Sequence, residues 1–253
     1  MKRILKFSVL FFLALAGFLI ATLPVNYLLP YLPKSVPLVI NGAQGTIWKG
    51  SAAQLSWQRQ SLGKVEWKIH PTSLLLLRIN TDFKISGEAI HADGNAVIKK
   101  DKSVLLTNTF LDAEVAKLPL SSMNMMVVPE GKINATIRSL LIEEQKLESA
   151  DADVLWENAK VTSPVELNLG QVSLNITGKD GALDGILDNK DGAIKATGKL
   201  NVSPKGLLKA NIKLTPDANA PADIKDLLPM IGKPDRNGTV TINQKIQIPN
   251  WPS

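Results

Sequence analysis

The sequence predicts a mainly β protein: an N-terminal transmembrane helix, then an extended, curved antiparallel sheet, folded over or sandwich-like, with one or two short helices. Three observations carry this. Apolar and polar residues alternate with period two along much of the chain, turn-forming residues separate several of the alternating stretches, and one long apolar run stands at the N-terminus.

Lys2, Arg3 and Lys6 precede an uncharged apolar run from Phe7 to Leu23. A run of this length reaches the lower edge of the ~17–25 residues a helix needs to cross the hydrocarbon core, and its basic flank belongs in the cytoplasm. A cleavable signal peptide begins in the same way, with Ala14, Ala16 and Ala21 as small cleavage-site residues. The run continues past Ala16 without polar interruption, and Pro24–Pro37 stays largely apolar, which favours a retained anchor. The expected organisation is a cytoplasmic segment 1–6, an anchor 7–23, a proline-rich juxtamembrane segment 24–37 and a β-rich domain 38–253 on the far side.

Alternation places the strands. Ile194, Ala196, Gly198, Leu200 and Val202 are apolar or small while Lys195, Thr197, Lys199 and Asn201 are polar, so the two sets fall on opposite faces of one strand. The pattern recurs in Leu208–Leu214, Val172–Thr177, Val240–Ile248, Val65–Ile69 and Ile133–Ile137. Asp180-Gly181, Asn189–Gly192 and Pro204–Gly206 supply bends between neighbours, so sequential hairpins are the economical reading. One apolar and one solvated face fit antiparallel better than parallel sheet.

Short helices are expected over Pro71–Leu77 and Ala222–Ile231, the second opened by Pro221 and ended by Gly232. Pro119–Gly131, with Met123, Met125 and Met126, is the best candidate for a bend between two layers, and Glu143–Asp153 reads as a strand connection with an acidic edge. Thr46–Ala52 and Val154–Ala159 each set a tryptophan before a small or turn-forming pair, which suggests a repeated hairpin only weakly.

Composition narrows the function. The chain has 253 residues and no cysteine, which excludes disulfides, thiolate metal sites and cysteine nucleophiles. The net charge of +6 falls to +3 once Lys2, Arg3 and Lys6 are set aside, and no basic stretch interleaves with aromatics, so no nucleic-acid partner is expected. His70 and His91, the only histidines, lack the spacing that puts two imidazoles on one helical face. Ser61–Lys64 matches Ser-x-x-Lys in a presumed turn, without the accompanying motifs of serine acylases. Asp180, Asp184, Asp188 and Asp191 miss calcium-loop spacing and read as solvated hairpin ends. No catalytic, cofactor-binding or metal-ligating residue is assigned, no cofactor is expected, and the chain reads as a non-enzyme.

Gly45–Gly50 after the anchor, the Leu55-Ser56-Trp57 and Val65-Glu66-Trp67 strands, the Leu155–Ala159 element and Leu228–Gly238 together resemble the type II secretion system protein N family. The likeness covers nearly the whole chain and rests on the order of these elements. It implies an accessory component of the Gram-negative machine that moves folded proteins from the periplasm across the outer membrane. The implied location is the inner membrane, crossed once, with the N-terminus cytoplasmic and the main body periplasmic. The implied partners are other secretion components, the outer-membrane secretin or the inner-membrane platform. The family offers no catalytic residues to carry over. A membrane-anchored lipid carrier with an apolar groove in a folded sheet is the alternative, marked by an apolar face too extensive to be covered internally. Gly45 and Gly50 are expected at bends or close approaches, and Trp48, Trp57, Trp67 and Trp156 as packing residues.

Overall fold

The computed structural model describes residues 2–27, 38–57, 60–118, 128–144, 146–162, 166–217, 228–229, 231–248 and 251. A helix, α1 (Lys2–Ala21), leads through a short 3-10 turn at Val25–Tyr27 towards the sheet. The uncharged part of α1 starts at Phe7, so it is only about 22 Å long at ~1.5 Å per residue, against a hydrocarbon core of roughly 30 Å. Among the described residues no helix is long and apolar enough to cross a membrane.

The strands follow in order: β1 (Leu38–Gly45), β2 (Lys49–Trp57), β3 (Gln60–Ile69), β4 (Arg78–Ser86), β5 (Ile90–Lys99), β6 (Val104–Glu114) and β7 (Pro129–Glu143). Then come β8 (Lys146–Val161), β9 (Leu167–Lys179), β10 (Ala182–Lys190), β11 (Ile194–Val202), β12 (Leu207–Pro216) and β13 (Val240–Gln247). All thirteen form one sheet in which each pairs with its sequence neighbours, and every pairing is antiparallel. No second sheet is present among the described residues. The expected hairpins are therefore borne out, and β11 runs over Ile194–Val202 as the alternation predicts.

The short helix expected over Pro71–Leu77 is present as a 3-10 helix over Pro71–Leu76, closed by Leu77 in the left-handed region at φ 52°. Three expectations change. Glu143–Asp153 is no connection: Glu144 turns the chain and β8 starts at Lys146. Ser61–Lys64 lies inside β3. Trp48 sits in the β1–β2 turn whereas Trp156 lies within β8, so the two tryptophan segments are not one repeated hairpin. Most of Pro119–Gly131 and of Ala222–Ile231 lies outside the described residues; Leu228, Pro229 and Ile231 are helical.

Two clusters of buried apolar residues sit towards the two lateral ends of the sheet. Val25 packs with Ala43 and Ala52, flanked by Ile40, Val65 and Trp67. At the other end Ile194, Leu228 and Val240 pack together, flanked by Leu167, Leu214 and Ile242. In each case a residue from outside the strands, Val25 or Leu228, covers part of one face.

Candidate interaction surfaces

The register lets the faces be followed strand by strand, because directly paired residues share a face. One row runs Ala43, Ala52, Val65, Ile85, Ala92, Leu111, Ala135, Val154, Leu174, Leu187, Gly198, Ile212, Ile242, from β1 to β13. Every member is apolar or glycine. The neighbouring row continues the same face through Trp67, Phe83, Ile137, Ala152, Ile176, Leu200 and Ala210. The alanines Ala43, Ala52 and Ala92 are buried, but the larger members from Leu111 to Ile242 are only half-buried. The apolar face is thus continuous over the whole sheet without being sealed among the described residues.

The opposite face is solvated and cross-linked by charge. Gln44, Ser51, Glu66, Lys84 and Asp93 form one row there, and Thr136, Asp153 and Asn175 continue it beyond Phe110. Arg138 lies where β7 bulges. Its Nε donates to Asp151 Oδ1 at 2.9 Å and its Nη1 to Asp153 Oδ2. Asn175 Nδ2 donates to the other Asp153 oxygen at 2.6 Å. The Arg138 guanidinium holds both carboxyl groups below their ordinary range. His70 Nε2 lies 2.8 Å from Asp82 Oδ2, while Asn95 Nδ2 donates to Asp82 Oδ1 at 3.0 Å, and these bonds, Asn95 first, lower Asp82. His91 is exposed on β5. Asp184 accepts from Asn201 and Asp188 pairs with Lys195, so the four aspartates of 180–191 are spread along a hairpin. Among the described residues no group of three or more His, Asp or Glu is arranged to hold a metal ion.

The helix is tied to the first hairpin. Trp48 Nε1 donates to the Ile20 carbonyl at 2.8 Å and the Ile47 N–H to the Leu23 carbonyl at 3.0 Å. Pro24 bridges to Thr46. Sequence reasoning gave Trp48 a packing role; it also works as a donor at the end of the helix, where the Ile20 carbonyl accepts from the Trp48 ring and from the Leu23 N–H. Trp156 likewise donates, to the Glu130 carbonyl at 2.9 Å. Gly50 is required by a close approach, since a Cβ there would come within 2.4 Å of the Trp67 ring.

The remaining interaction surfaces are the two sheet edges. Among the described residues β1 and β13 each have one neighbouring strand, and the outer side of β13 is bridged at its first residue, Val240, by Pro234. An unpaired edge presents a row of backbone donors and acceptors. β13 carries Thr241, Asn243, Lys245 and Gln247, all exposed, on its polar face.

Comparisons with known proteins identify the family. A family model described as type II secretion system (T2SS), protein N matches residues 37–243. The type II secretion system protein N of Vibrio cholerae is 26% identical over 256 residues, covering 98% of this chain and 100% of the relative. Those of Aeromonas hydrophila and Pectobacterium carotovorum are 26% and 28% identical, covering 94% and 90% of this chain and 96% and 91% of the relatives. No solved structure matches. The matched span runs from the residue before β1 into the middle of β13, and the chain belongs to the type II secretion system protein N family.

Proposed function

We propose that this chain is a membrane-anchored accessory component of the type II secretion machine that acts by protein–protein contact in assembly or stabilisation, with α1 in the inner membrane and the sheet in the periplasm. Family membership supports the machine. The exposed apolar side chains of α1, among them Phe7, Phe11, Leu13 and Leu19 at 57–71% exposure, support the anchor. Its short uncharged segment is accommodated by local thinning of the bilayer.

The open edges of the sheet carry the contact reading. A neighbouring secretion component gains a full set of main-chain hydrogen bonds by adding a strand beside β13 or β1. The chain has no cysteine, so single cysteines at Asn243, Gln244 or Val39 can be cross-linked in cells without background. The expected result is a discrete adduct with another secretion component from one edge. Full labelling with no adduct from either edge rejects strand addition.

The continuous half-buried apolar face favours the second reading, a lipid carrier. Stoichiometric phospholipid in protein purified in mild detergent supports it, and a lipid-free protein supports the contact reading.

A further inference from the structure

The β3–β4 connection carries apolar surface with no use in the fold. Leu74, Leu75, Leu76 and Leu77 are 41%, 86%, 65% and 68% exposed, consecutive, and held in and just after the 3-10 helix Pro71–Leu76. Leu77 is left-handed, φ 52°, a conformation that favours glycine over a bulky residue. Solvated surface gains nothing from four such leucines in a row, and a glycine would turn the chain with less strain.

The charge beside them is equally specific. Arg78 and Lys99 are directly paired across β4 and β5, an arrangement that is destabilising unless an anion lies between or over the two cations. Lys100 and Lys102 follow in the next turn, both exposed. The one carboxylate there, Asp101, accepts from the Ser103 N–H at 2.9 Å. Leu76, Leu77, Arg78, Lys99, Lys100 and Asp101 line an open cleft of about 670 Å³, which brings two leucines beside three cations and one carboxylate. Leucines beside cations match the depth profile of a bilayer, acyl chains beneath phosphates.

Position completes the argument. Trp48 binds the Ile20 carbonyl through its ring, and the Trp48 carbonyl accepts from the Ile69 N–H at 2.7 Å, directly before the leucine turn. The turn therefore stands at the end of the sheet where α1 arrives.

We propose that Leu74–Leu77 with Arg78, Lys99, Lys100 and Lys102 form a second membrane contact, which docks this end of the sheet on an anionic phospholipid bilayer, the leucines among acyl chains and the cations among phosphates. This rests on the reading of α1 as an anchor. Together the two contacts hold this end of the sheet at the bilayer at two places, the turn adding to the ties that already join α1 to the first hairpin.

The test uses the full chain in vesicles of phosphatidylethanolamine and phosphatidylglycerol carrying a lipid-borne spin quencher. Single cysteines, Phe12→Cys in α1, Leu75→Cys in the turn and Glu88→Cys in the β4–β5 turn at the opposite end, each carry an environment-sensitive fluorophore. Strong quenching and a blue shift are expected at Phe12→Cys and Leu75→Cys and neither at Glu88→Cys. Quenching at Leu75→Cys should fall several-fold when Arg78, Lys99 and Lys100 are changed to glutamine, with Phe12→Cys unaffected. Quenched Phe12→Cys with Leu75→Cys no more quenched than Glu88→Cys overturns the second contact and leaves the anchor standing. An unquenched Phe12→Cys overturns the anchor, and this inference with it.

Discussion

Asn189 offers the sharpest test of how the sheet is held together. It lies at the end of β10, only 1% exposed. Its Nδ2 donates to the carbonyls of Leu169 at 2.9 Å and Ile194 at 2.7 Å, and its Oδ1 accepts from the Ala196 N–H at 2.7 Å. One side chain thus supplies backbone partners on β9 and β11 where the register opens around the Asp191–Ala193 turn. Asn189→Ala strips those three groups of their partner in a place closed to water. At about 1–1.5 kcal/mol for each, the loss is roughly 3–4 kcal/mol, a large share of the ~5–15 kcal/mol that holds a typical domain folded. Urea unfolding of the full chain in detergent, followed by far-UV circular dichroism, should show a midpoint lower by about 1–2 M at an m-value of ~2–3 kcal/mol/M. Asn189→Asp should be no better, because it keeps the acceptor for Ala196 but sets carboxylate oxygens against two carbonyls. A loss below about 1 kcal/mol in Asn189→Ala would refute the reasoning, since the three bonds would then contribute almost nothing net.

Other expectations follow from edge, core, turn and charge. Along β13 the backbone groups of successive residues point alternately towards β12 and outwards. Asn243→Pro and Gln244→Pro should therefore differ: one loses ladder bonding and is destabilised by about 3 kcal/mol, the other leaves urea stability nearly unchanged while abolishing edge cross-linking, and Lys245→Gln on the polar face should be tolerated. Equal effects of the two prolines would contradict an open edge. Ile194→Ala, at a site with 0% exposure packed against Leu228 and Val240, should cost about 2–5 kcal/mol in the same titration. Leu77→Gly should leave stability unchanged or raise it by up to about 1 kcal/mol, the left-handed strain relieved being partly offset by chain entropy. For pH, Asp82, Asp151, Asp153 and Asp188 all have lowered values when folded. Their contribution is present above the unfolded value of about 3.9 and is lost as pH falls through the folded values. Stability should thus decline in acid below about pH 4–5, by less in 1 M salt because the pairs are exposed; a flat profile from pH 7 to pH 3 would contradict it.

Much of the sheet was legible where its strands keep strict period two: β11 puts every apolar residue on one face, as do Val172–Ile176 of β9 and Leu208–Leu214 of β12, so alternation alone reveals them. Legibility failed where a bulge breaks the period. In β8, Leu147, Ala150 and Ala152 are all buried, but the register shifts opposite Leu141–Ile142, so Leu147 is out of phase and the segment reads as a polar connection. The partner that makes its acidic residues at home, Arg138, lies across the bulge on another strand and has no local signature. Asn189 was read as a turn residue, which its side-chain chemistry permits; that it is buried and bridges two neighbouring strands depends on how three strands meet. Leu74–Leu77 read as a short apolar helix, and only the structure shows those leucines turned to the outside beside paired cations. The continuity of the apolar face likewise needed the register of twelve pairings, because alternation fixes the two sides of each strand but not how the sides of different strands align.

On the proposed function, this chain serves type II secretion through a sheet tied to the inner membrane. The most direct measurement is the ratio of an exported enzyme in periplasm to culture medium, with and without the gene, with the amount of assembled outer-membrane channel scored in the same cells. Deletion should raise the periplasmic share and lower channel assembly, and the wild-type chain should restore both. Unchanged secretion and unchanged channel assembly on deletion would contradict the account.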